Sequence, residues 1–140
     1  MKKILFIVIF IVIKMSLVAQ LYQYNSNRVV ITNVNTNASE AYKLHKIISL
    51  TIDNLNKKIS MVDSSQAKVY RIVSTKTTKY NAVGTERNEY KCLDEKRKIQ
   101  TINLVLYDET LQKQLHISGQ FEITIGTLSY AYDLHKTISN

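Results

Sequence analysis

The side chains able to do chemistry in this chain are few and widely spaced. His45, His116 and His135 lie far apart, with no His-x-x-x-His step, and Cys92 has no second cysteine to join it. No zinc-type ligand spacing results. Gly84, Gly119 and Gly126 are the only glycines and none opens a helix, so a phosphate-cradling loop is excluded, as is a Gly-x-Ser-x-Gly nucleophile turn. Glu122 and Asp133 fall on the polar face of what read as the last two strands. Two carboxylates there would suit acid–base work. Surface charges beside Lys113 or Lys136 account for them more simply. These patterns predict no catalytic residue, no metal site and no cofactor.

The nine tyrosines are the remaining hint of a binding role. Tyr107, Tyr130 and Tyr132 fall in the last strands, and with Phe121 they form the candidate ligand-binding set, as the rim of a pocket or a carbohydrate or peptide contact surface. Core packing is the competing reading, because a chain rich in Ile, Lys, Asn and Tyr and lacking Trp resembles the usage of an AT-rich bacterial genome. Cys92 alternates onto the same face as Tyr90, with Glu89 and Lys91 opposite. That predicts a buried, structural thiol.

Several elements could position these side chains. Arg28–Val34 is a β-branched run that reads as a first strand. Asn37 followed by Glu40 suits a helix cap, and Ala41, Leu44, Ile48, Ile52, Leu55, Ile59 and Val62 recur at steps of three or four. That stripe predicts one helix of about 23 residues, ~35 Å long, with Asp53 and Lys57 on its far side. From Gln66 the period changes to two. Lys68–Tyr80 reads as a long strand, Asn81–Gly84 as a turn, Thr85–Leu93 as the next strand and Asp94–Lys98 as another reversal. Ile102, Leu104 and Leu106 share a face. A strand with Leu115 and Ile117 inward is expected next, then Gly119 as a bulge, then alternation through Phe121, Ile123 and Ile125 and through Leu128, Tyr130, Tyr132 and Leu134.

The expected architecture is therefore a single α+β domain, one long N-terminal helix packed across a curled antiparallel meander sheet of about five to six strands. This order of elements resembles the cystatin-like and nuclear-transport-factor-like folds. The Gln-x-Val-x-Gly loop of the protease-inhibiting cystatins is absent, so inhibition of cysteine proteases does not follow. A small lipocalin-like β-barrel is the alternative.

Residues 1–19 read as a signal peptide: Lys2 and Lys3, an apolar run from Ile4 to Ile13, and Leu17-Val18-Ala19 before Gln20. The run is shorter than the ~20 residues that cross a bilayer. A retained membrane anchor is the alternative. The whole chain carries +8; removing Lys2, Lys3 and Lys14 leaves 16 basic and 11 acidic residues over 20–140, a charge of +5. The basic residues are spread along the sequence, which speaks against nucleic acid and allows weak attraction to anionic surfaces. The expected function is that of a non-catalytic exported module, secreted or periplasmic, binding a protein or an anionic surface polymer. A small apolar-ligand carrier using a cavity between helix and sheet is the alternative, and an enzyme or enzyme inhibitor stands behind both.

Overall fold

In the computed structural model, which describes residues 21–137, a period of two runs through nearly all of the described residues. Eight strands follow one another: β1 (Leu21–Asn33), β2 (Ser39–Asp53), β3 (Lys58–Val62), β4 (Ala67–Tyr80), β5 (Thr85–Leu93), β6 (Ile99–Tyr107), β7 (Gly119–Ile125) and β8 (Leu128–Lys136). One short helix, α1 (Glu109–Leu115), lies between β6 and β7. Each strand pairs antiparallel with the next, and β8 returns to β1 through pairs such as Ile31 with Tyr130. The result is a closed up-and-down barrel. The signal-peptide reading of residues 1–19 lies outside the described residues.

The α+β architecture is thus overturned, and the small barrel named as the alternative is the nearer description. The predicted long helix is instead β2, a turn and β3. Ile48 and Ile52 fit both a helical stripe and an alternating strand, because a step of four is also an even step. The residues between them decide: Leu50 is 3% exposed and Met61 is buried, although neither belongs to the helical stripe, whereas stripe members Leu55 and Val62 are 50% and 43% exposed. A β-branched composition, Ile47, Ile48, Thr51, Ile52 and Ile59, also favours the pleated backbone. Asp53 to Lys57 supply the turn, with Lys57 at φ 51° and the Asp53 carboxylate accepting from the Asn56 amide. Asn37, expected as a helix cap, closes the β1–β2 turn at φ 56°.

A second correction concerns the segment after β6. Where a strand with Leu115 and Ile117 inward was expected, α1 forms, because the Asp108 carboxylate accepts from the Leu111 amide and caps it. Gly119 is not a bulge. It pairs in register with Leu106, and a Cβ there would lie 2.1 Å from the Val105 carbonyl oxygen, so only glycine permits this approach of β7 to β6.

Inside the barrel Ile52, Ile59, Cys92, Ile102, Leu104, Phe121 and Leu134 are fully buried and fill its middle, with Tyr24, Leu50, Tyr70 and Tyr90 around them. Outward positions carry Arg28, Lys58, Arg71, Arg87 and Glu122. A barrel facing lipid shows the reverse pattern, apolar outside and polar within.

Two bulges re-aim side chains. Against β8, an extra residue in β1 between Asn25 and Val29 turns Val29 inward in place of Arg28. On β4 the ladder to β5 shifts between Ile72 and Ser74, so Thr75 opposes the inward Tyr90 and Thr77 opposes Asn88, while Lys76 is turned outward. β3 is only five residues long, and β4 continues beyond it paired to β5 alone among the described strands. The upper end of the barrel, which carries the 54–57 and 81–84 turns and α1, and the lower end, which carries the 34–38, 63–66, 94–98 and 126–127 turns, are both indented.

Candidate functional site

The four aromatic residues singled out from sequence do not form one site. Phe121, 1% exposed, and Tyr132 oppose each other across β7 and β8 with ring centroids 6.3 Å apart, inside the barrel. Tyr130 points inward opposite Ile123, packed against the same core. Tyr107 lies at the end of β6 on the outer face, where burial and then the charges of Asp133 and Glu122 push its phenol up. Three of the four are therefore packing residues first. Of the three, Tyr132 also reaches a small cleft of about 100 Å³ at the lower end, beside Met61 and Lys68.

The groups considered for chemistry are dispersed or engaged. His45 is exposed on β2, His116 is the C-cap of α1 at φ 58°, and His135 is exposed on β8 opposite Asn25. No cluster of three metal-ligating side chains occurs among the described residues. Glu122 and Asp133 both face outward. Glu122 lies 3.8 Å from Arg87, and Asp133, 3% exposed, is bound by the Arg28 guanidinium and by Gln120 Nε2 at 3.0 Å. Cys92 is buried, and burial pushes its thiol up to about 11, so it is not a nucleophile at neutral pH. The space between a long helix and a sheet, which an apolar-ligand carrier required, does not form, since no such helix exists among the described residues.

What the fold does assemble is a basic cleft of about 400 Å³ at the lower end. Lys68 opposes the buried Met61 across β3 and β4, so its side chain leaves from the interior-facing side and reaches the rim. Gln100 opposes Cys92 and likewise points in. Tyr70 forms the floor, with Ile125 beside it, and the 94–98 turn contributes Lys96 and Lys98.

Asp94 and Glu95 belong to the same wall, but Asp94 is turned to its own loop. It accepts from the Lys98 amide at 2.8 Å, the Lys96 amide at 2.9 Å and Gln100 Nε2 at 3.2 Å, and these bonds, the Lys98 amide first, hold its carboxyl below the usual range. Asp63 on the neighbouring turn is held down in the same way by the Ser65 and Gln66 amides, with Lys46 close enough to add to the effect. Among the described residues Lys68, Lys96 and Lys98 form no salt bridge. Cations that are spread along the sequence therefore converge around an apolar floor, and Glu95 alone faces them uncommitted. Sequence reasoning missed this cleft. Its only signal was the Lys96-Arg97-Lys98 run inside the Asp94–Lys98 reversal, and Lys68 reaches the same rim only through the strand pairing.

No family model matches the chain, and no curated protein or solved structure gives a significant match.

Proposed function

We propose that the protein is a non-catalytic exported module that binds an anionic surface polymer, an acidic polysaccharide, at the lower end of its barrel. The observation that carries this reading is the lower cleft, where Lys68, Lys96 and Lys98 surround Tyr70 and Ile125 while Asp94 is engaged by its own turn. Ammonium groups at a rim attract carboxylates or sulfates of a chain without requiring a deep pocket. Non-catalytic use is supported by the engagement of Glu122 and Asp133 with arginines and by the burial of Cys92. An apolar-ligand carrier is disfavoured because the barrel's middle is filled by Ile52, Ile102, Leu104 and Phe121. Export rests on residues 1–19 alone, and secreted material beginning at Met1 would overturn that part.

Binding is tested by retention of the protein on immobilised polygalacturonate against neutral dextran. Retention on the acidic polymer is expected to weaken as salt rises through roughly 0.1 to 1 M, where screening shortens from ~10 to ~3 Å. It should also be lost in the triple variant Lys68→Glu, Lys96→Glu, Lys98→Glu. Equal retention on dextran, or an unaffected triple variant, overturns the reading.

A further inference from the structure

We infer that the upper mouth of the barrel is a second, separate binding site for a neutral hydroxyl-rich ligand, a sugar. The mouth is an open recess of about 480 Å³ lined by Tyr22, Asn54, Thr75, Thr77, Glu86 and Asn88, with Tyr90 below. Its polarity is a product of register. Below this level β4 and β5 point Ile72 and Cys92 inward; above the Val73 bulge the inward positions become Thr75, Thr77, Asn88 and Glu86. Of these, Asn88 is buried and must find a partner, while Glu86 is half-buried and Thr75 and Thr77 are exposed where the mouth opens.

The partners form a connected chain. Thr77 Oγ1 donates to Asn88 Oδ1 at 2.6 Å, Asn88 Nδ2 donates to Glu86 Oε1 at 3.1 Å, and Lys79 Nζ lies 3.3 Å from Glu86 Oε2 at the rim. Asn88 is buried, so the chain is anchored in the barrel and not on a mobile surface loop. Across the mouth Asn54 stands against the Tyr90 phenol, and Tyr22 remains half-exposed. A carboxylate and two carboxamides at fixed positions can accept from and donate to neighbouring hydroxyls, and an exposed phenol ring beside them supplies a stacking face. That combination suits a sugar ring. The mouth's own charges, Glu86 with Lys79 and Lys57 at the edge, leave no strong field to select an ion.

The site lies at the opposite end of the barrel from the basic cleft, so the two readings fail independently. The test is saturation-transfer NMR with free glucose, galactose and N-acetylglucosamine, with backbone amide shifts mapped on the protein. Saturation transfer to at least one sugar is expected, with shifts confined to residues 22, 54, 75–77, 86, 88 and 90. Tyr22→Ala, on an exposed ring, and Glu86→Gln, which preserves shape, should each weaken binding about tenfold, the scale of one charge-assisted hydrogen bond or stacking face. The lower-end variant Lys68→Glu, Lys98→Glu should bind sugar unchanged. No transfer to any of the three sugars, shifts mapping elsewhere, or unaltered binding by both upper-end variants overturns the proposal.

Discussion

Asp133 shows how one residue can be buried on the outside of a barrel. It faces away from the core, opposite Gln120, and is covered by Arg28, which the β1 bulge has turned outward. Removing one partner of such a pair costs more than neutralising the charge, because the other is left desolvated. Arg28→Ala is therefore expected to lower stability by about 1–3 kcal/mol, and Asp133→Asn, which keeps an acceptor for Gln120 and leaves only a half-exposed guanidinium, by less. Urea midpoints of the two variants decide; equal losses would mean that water reaches the Asp133 carboxylate. Gly119 is the other residue with no freedom. Gly119→Ala places a methyl group against the Val105 carbonyl and should cost about 1–3 kcal/mol, as overpacked sites do, with the loss again read from the urea midpoint.

At the scale of elements, three of the turns share one device, an aspartate folded back on backbone amides. Asp53, Asp63 and Asp94 each accept from amides two to four residues ahead, and each carboxyl is held below its ordinary value of 3.8, Asp53 by the Asn56 side chain first and the other two by amides first. Carboxyls with depressed folded values contribute stability that is complete above the unfolded value near 4 and is lost as pH falls through the folded values below it. Thermal midpoints are thus expected to drop as pH is lowered below about 4, and the triple Asp→Asn variant at 53, 63 and 94 should flatten that drop. Strands were legible from the sequence wherever inward and outward residues differ in kind, as in Phe121–Ile125 and Leu128–Leu134. Residues 39–62 were not, because Ile48 and Ile52 satisfy both periods and the turn at 53–57 is hidden by Leu55. The four candidate aromatics are dispersed for a related reason: a strand pattern shows which residues share a face, but not whether that face is a filled interior, and Tyr107 lies on the outer face.

For the molecule as a whole, closure is what converts these local choices into a unit. β1 meets β8 through Val29–Tyr132 and Ile31–Tyr130, pairs separated by about a hundred residues of chain, so the seam forms only when the intervening hairpins are in place. Nothing in a period-two pattern distinguishes an open meander from a ring, which is why closure was not legible. The core shared by all eight strands contains Tyr24 and Tyr90, whose phenols are pushed up to about 12, by burial first and then by neighbouring phenols, with Glu86 adding to the effect on Tyr24. Their ordinary value is 10, so the folded state favours the protonated form. The stability this contributes is fully present below pH 10 and is lost as pH rises through about 12. Tyr24 is 6% and Tyr90 2% exposed, so ionising either places a charge in the common interior. Alkaline titration should therefore show late phenolate absorbance that rises together with loss of the far-ultraviolet strand signal, in a single transition between pH 10 and about 12. Tyr90→Phe should move that transition to higher pH while leaving the fold intact at neutral pH. Phenolate absorbance completed before the strand signal changes would show that these two side chains titrate in the folded barrel, and that the interior is open to water at one of its ends.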